Sequence, residues 1–166
     1  VSDQPWEGAN LGYMNMLYDE GRYRLWYSTR SKFQLEGNQD YLHYAESSDG
    51  SKWDKPNLGL YEHNGSKSNN IVYPKIIEGT VFKDSGASEE ERYKLVDMGS
   101  SAEYQGRAIR GDELKQTVEE LNKQGLEAGE IYGKHIKLKG HVFGAVSPDG
   151  LNWTQIKEPL FEKFCD

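Results

Sequence analysis

A sequence that repeats itself at a fixed period builds its core by stacking one small unit on the next, and this chain repeats. Ala45-Glu46-Ser47-Ser48-Asp49-Gly50-Ser51-Lys52-Trp53 returns as Ala145-Val146-Ser147-Pro148-Asp149-Gly150-Leu151-Asn152-Trp153. Leu60-Tyr61-Glu62 returns as Leu160-Phe161-Glu162, and both matches lie 100 positions apart. Upstream, Gly21-Arg22-Tyr23-Arg24-Leu25-Trp26 matches Glu91-Arg92-Tyr93-Lys94-Leu95-Val96 at an offset of 70. A unit of about 70 residues with about 30 inserted inside its second copy accounts for both offsets.

Between the motifs the chain reads as short strands. Tyr13–Tyr18, Tyr23–Thr29, Tyr41–Glu46, Val81–Lys83, Tyr93–Met98 and His141–Val146 are aromatic or β-branched runs bounded by Gly, Asn and Asp. Asp19-Glu20-Gly21 supplies a hairpin turn, and Asp49-Gly50 and Asp149-Gly150 are dipeptides that accept positive φ. Asp49 and Asp149 are expected to cap backbone amides of their turns, and Trp53 and Trp153 to plug the core. Each copy is then a four-stranded antiparallel unit, with the Asp-Gly turn and its Trp between the third and fourth strands, which is the pattern of a propeller blade. The insertion falls at about 103–139. Within it Asp112–Ala128 predicts a surface helix, with Leu114, Val118 and Leu121 on one stripe, Asp112 at the N-terminus and Gly125 as the stop.

Composition narrows the partners. The 166 residues carry a net charge of −7 and no Lys/Arg run, so neither nucleic acid nor a membrane surface is an expected partner. No apolar stretch approaches the roughly 18 residues of a spanning helix. The lone cysteine, Cys165, excludes an internal disulfide and a Cys-based zinc site, and His43, His63, His135 and His141 lack ligand spacing. No metal and no cofactor is expected. Asn64-Gly65-Ser66 and Asn152-Trp153-Thr154 match glycosylation sequons.

The runs Arg22-Tyr23-Arg24-Leu25-Trp26-Tyr27, Tyr44 to Trp53, Asn69-Asn70-Ile71-Val72, Glu91 to Leu95 and Ser147 to Trp153 together resemble five-bladed β-propeller glycosidases, the relatives of glycoside hydrolase families 32 and 43. A sialidase Asp-box looks similar but needs a residue between Asp and Gly, which neither copy has. The resemblance implies an all-β fold, a partial five-bladed β-propeller in which 1–166 is the N-terminal portion of one domain. Blade 1 would cover about 9–75, blade 2 about 76–163 with the helical insertion, and blade 3 would start at 164–166. Five such blades need roughly 350 residues, so the remaining blades are expected on the same or a second chain.

The resemblance also implies hydrolysis of a poly- or oligosaccharide by carboxylates lining the funnel, in a secreted or periplasmic bacterial protein. One carboxylic acid protonates the glycosidic oxygen and an ionised partner works from the other side of the sugar. Carried over by position, the family's first-blade aspartate falls near Gly12-Tyr13, where no carboxylate stands; the nearest are Asp3 and Glu7. Glu78 occupies the second-blade position and Asp166 the third. Glu78, Asp166 and Glu7 are therefore the catalytic candidates, and Asp3, Trp6, Tyr13 and Asp84 the substrate-binding ones. Four have a structural alternative: Asp84 before Ser85-Gly86 as a turn residue, Glu78 as a loop charge, Glu7 and Trp6 as seals of the blade edge. The alternative function is a non-catalytic carbohydrate-binding propeller, or a scaffold that a partner completes.

Overall fold

The hairpin turn does fold as expected. In a computed structural model, which describes residues 3–8, 10–30, 41–74, 76 and 79–161, Asp19 and Arg22 close the turn while Glu20 and Gly21 take φ of 51° and 78°. Two consecutive left-handed residues match the right-handed twist of the strands they join. Those strands are β1 (Asn10–Asp19) and β2 (Arg22–Arg30), and β3 (Tyr41–Ser47) and β4 (Ile71–Pro74) complete an antiparallel sheet in the order β1-β2-β3-β4. A second sheet follows, from β5 (Gly79–Lys83), β6 (Tyr93–Tyr104), β7 (Arg107–Arg110), β8 (Ile136–Ser147) and β9 (Thr154–Gln155), in the order β5-β6-β8-β9 with β7 paired to β6. The chain is thus all-β and antiparallel, as the strand pattern predicts. Among the described residues neither sheet closes on itself.

Several strands outrun their sequence signal. β6 extends to Tyr104 and β8 begins at Ile136, and Ser101 to Tyr104 pair with β7, which lies inside the stretch assigned to the insertion. Ser101-Ala102-Glu103 has weak strand propensity; the partner strand supplies its hydrogen bonds. The helix α1 runs over Gly111–Lys123, shorter than the predicted Asp112–Ala128, and Asp112 lies inside its first turn rather than before it, where its charge still favours the positive helix end. Gly125 ends the helix at φ +87°, with Leu126 N–H donating back to Leu121 O at 3.3 Å.

Over the described residues the chain divides into two compact units, 1–97 with 144–155 and 98–143 with 156–166, each with its own hydrophobic cluster. In the second unit the α1 stripe of Leu114, Val118 and Leu121 packs with Ala102, Ile109, Ile131 and Ile136. In the first unit Trp26, Leu42, Tyr44, Val72, Tyr93 and Leu95 form the centre, all at most 2% exposed. Arg24 lies among them at 5% exposure, its guanidinium 5.0 Å from the Tyr93 ring, 5.2 Å from Trp26 and 5.4 Å from Tyr44. That burial is tolerated because the donors are occupied. Arg24 Nε donates to Tyr44 Oη at 3.1 Å, Nη1 to Asp19 at 3.3 Å and to Tyr93 Oη, and Nη2 to the Asp149 carbonyl. Tyr93 donates in turn to Asp19, and burial, reinforced by that carboxylate, pushes its hydroxyl up to about 12.

The repeat is visible bond by bond in the Asp-Gly turns. Ser47 Oγ accepts from Asp49 N at 3.3 Å and Gly50 N at 2.9 Å, and Asp49 Oδ1 from Ser51 N at 2.8 Å and Lys52 N at 2.9 Å. One hundred positions on, Ser147 Oγ accepts at 3.3 and 2.8 Å, and Asp149 Oδ1 from Leu151 N and Asn152 N at 2.8 Å each. Both aspartates cap their turns, and the amides of Lys52 and Ser51 hold the Asp49 carboxyl down to about 2. After the turn, Asp54 bridges Glu46 as Thr154 pairs Val146. Trp53 and Trp153 are only half-buried, with Trp153 resting on the rim of the first unit's cluster.

Candidate functional site

Short bonds converge on Glu7 from four directions. Pro5 helps to turn the chain so that Glu7 N donates to Gln4 O at 3.0 Å, which folds the carboxylate back over the amides of Asp3 and Gln4 at 2.9 and 3.2 Å. Lys55 Nζ reaches the two carboxylate oxygens at 2.7 and 2.9 Å and Asp3 at 2.6 Å, and Tyr27, from β2, donates its hydroxyl to Glu7 Oε1. The Glu7 side chain has 0% exposure. Burial alone would raise its carboxyl; the ammonium of Lys55, the Tyr27 hydroxyl and the Asp3 amide outweigh it, and the net direction is downward. Glu7 is therefore a fixed, sealed anion. A glycosidic general acid needs the opposite shift and a path to the sugar.

Around it lies a polar layer. Trp6 Nε1 donates to Asn70 Oδ1 at 2.7 Å, and Asn70 Nδ2 donates to Tyr27 Oη at 2.9 Å and to the Tyr44 carbonyl at 2.7 Å. Gly8 N donates to Thr29 Oγ1, which sits 2.8 Å from His43 Nε2. Asn70 stands in the Asn-Asn-Ile-Val run; no spacing in the sequence marks Lys55, Tyr27 or His43 as its neighbours, because they come together only when β2, β3 and two loops meet.

His43 is fully buried and stacked 5.2 Å from Tyr27. Burial, with Lys55 and His63 adding to it and Glu7 and Asn70 opposing, lowers its imidazole to about 4. The unfolded chain takes up this proton near 6.5 and the folded chain only near 4, so stability is full above pH 6.5 and falls as pH drops from 6.5 towards 4. The expected loss is about 3 kcal/mol across that window at 1.36 kcal/mol per unit. Urea titrations at a series of pH values will show the slope in the wild type and its removal in His43→Asn. Equal slopes in the two proteins would refute the assignment.

The other predicted site residues scatter. Asp3 is exposed and paired with Lys55, while Trp6 is half-buried with its indole committed to Asn70. Tyr13 stands 54% exposed on β1. Asp84 accepts from Gly86 N at 2.9 Å, while its own N donates to Arg92 O at 2.7 Å and its carbonyl accepts from Ala87 N, which makes it a turn residue. Glu78 and Asp166 lie outside the described residues. A feature not expected from sequence is an open recess of about 380 Å³ in the first unit, lined by Leu60, Tyr61, Pro148, Leu151, Asn152, Trp153 and Thr154. Two aromatic rings beside an amide form a surface of the kind that sugars stack on.

In the second unit Ser101 Oγ and His141 Nδ1 lie 2.7 Å apart, at 3% and 4% exposure. With both groups sealed from solvent, the pair joins β6 to β8 and presents no nucleophile. Among the described residues no group of three or more His, Cys, Asp or Glu could hold a metal ion, and no helix is long and apolar enough to cross a membrane.

Fold and site define an antiparallel all-β protein with a sealed Glu–Lys–Tyr centre and an aromatic surface recess. No family model, curated protein or solved structure matches the chain.

Proposed function

We propose that the two sheets are successive blades of a five-bladed β-propeller of the glycoside hydrolase type, and that the complete propeller hydrolyses glycosidic bonds of a poly- or oligosaccharide. The observation that carries this reading is the repeat of the Ser-x-Asp-Gly turn, with the same bonds to its backbone amides, at the end of β3 in the first sheet and of β8 in the second. The catalytic carboxylates are then Glu78 and Asp166, placed by the resemblance at the starts of the second and third innermost strands, with Glu7 holding the first strand's approach in position.

The test is a glycan hydrolysis screen of the protein in its native polypeptide. Glu78→Gln and Asp166→Asn are each expected to lower kcat by about 10²–10⁴ with KM little changed. Hydrolysis that survives both changes overturns the assignment. The Tyr61–Trp153 recess and the sealing of Glu7 favour a second reading, a carbohydrate-binding propeller without catalysis. Glycan binding that is lost in Trp153→Ala, with no hydrolysis of any bound glycan, would select it.

A further inference from the structure

The two Asp-Gly turns share their internal bonds but not their cover. At the second turn, Arg24 Nη2 donates to the Asp149 carbonyl and Trp26 Nε1 to the Gly150 carbonyl at 2.7 Å. Gly150 is buried beneath them: a Cβ there would lie 2.7 Å from Trp26 Cζ2 and 3.4 Å from Tyr93 Cδ1. At the first turn, Asp49 and Gly50 are exposed, and the ring nearest a Cβ on Gly50 is Tyr23 at 3.3 Å. Tyr23 is the repeat counterpart of Tyr93. The first turn therefore keeps the backbone bonds and the Tyr of the second but lacks the Arg24–Trp26 cover; Arg22, the counterpart of the Arg92 that donates to Pro148 O, is paired with Glu46 instead.

We propose that the Asp49-Gly50 turn is the docking seat for a β-strand of a further repeat of this same type, one that presents Arg or Lys and a Trp two residues apart. The two bonds fix the chemistry of the occupant: a cation for the residue-49 carbonyl and an indole N–H for the residue-50 carbonyl, from side chains on one face of a strand. The occupant is not a second copy of this chain. β6 carries Lys94-Leu95-Val96 where β2 carries Arg24-Leu25-Trp26, so the second repeat has no indole to offer, and the Arg24 and Trp26 of any other copy are engaged at that copy's own second turn. The proposal rests on reading the two sheets as successive repeats and names the contact by which a further repeat joins the first of them.

The experiment places a photo-reactive diazirine residue at position 51 in one protein and at its counterpart, position 151, in another, each within the native polypeptide in its source cells. Irradiation of the 151 protein is expected to join it to the 22–30 segment of its own chain. Irradiation of the 51 protein is expected to capture a peptide with Arg or Lys two residues before a Trp. That capture is expected to be lost when the captured Trp is replaced by Ala. No capture at 51 while 151 reports its partner overturns the proposal. Capture of the 22–30 segment of a second copy, identified by mixing isotopically labelled and unlabelled protein, also overturns it. A silent 151 label overturns instead the reading of the two sheets as packed repeats, and the proposal with it.

Discussion

Replacing Trp26 by Ala is expected to cost about 4 kcal/mol of folding stability, the range seen when a large buried ring is removed. Trp26 has 0% exposure, touches Tyr44 and Tyr93 at ring separations of 5.6 and 6.0 Å, and donates its indole N–H to Gly150 O. Truncation removes the ring that covers the second turn, strips one face from the Arg24 guanidinium, and leaves a carbonyl buried without its donor. A loss of that size is a large fraction of the total stability of a domain this long. Equilibrium urea unfolding measures it. Trp26→Phe, which retains most of the packing and loses only the N–H, is expected to cost much less, on the order of 1 kcal/mol plus a small void. A Trp26→Ala protein as stable as the wild type would mean that the second turn does not rest on β2.

The second large effect concerns Glu7. Lys55→Met is expected to cost about 3 kcal/mol at neutral pH, because it leaves a sealed carboxylate without its cation. Glu7→Gln is expected to cost less, about 1–2 kcal/mol, since the amide oxygen still accepts from Tyr27 and Lys55 is left at 21% side-chain exposure, where water reaches it. Combining the two changes is expected to cost less than their sum. The pH sign separates this pair from His43. The Glu7 carboxyl is held below 4.5, so its contribution is present above pH 4.5 and is lost as pH falls through the folded value, a window below that of the imidazole. In Lys55→Met the carboxyl is no longer held down, and the gap from wild type is expected to narrow as acid protonates it. Additive costs in the double variant would refute the pairing, and an unchanged melting temperature in Glu7→Gln would refute the anchoring role.

The legible parts of this protein share a cause: each is set by residues near one another in sequence. The Glu20-Gly21 turn, the Asp49-Gly50 and Asp149-Gly150 turns, the α1 stripe of Leu114, Val118 and Leu121, and the Gly125 stop are all decided within five to eight residues. The strands were legible where Tyr, Trp, Val and Leu crowd together. They were not legible where the partner decides, as in Ser101-Ala102-Glu103, which reads as polar linker and becomes strand only because Arg107–Arg110 folds back onto it. Glu7 was legible as a carboxylate near the family's first-blade position, catalytic or sealing the blade edge, but not as a side chain itself buried. Its cation comes from Lys55, 48 residues away, and its donor hydroxyl from Tyr27.

By itself the sequence determined an antiparallel β protein built from a repeated unit, and the turn chemistry that ends each unit's third strand. Local sterics and short-range hydrogen bonds are written directly in residue types, which is why period, turn and helix stripe can be read from one chain. Tertiary structure decided which turn is covered, which carboxylate is buried and which histidine stays neutral. Each of those depends on desolvation and on partners supplied by other strands, and desolvation exists only once the strands have come together.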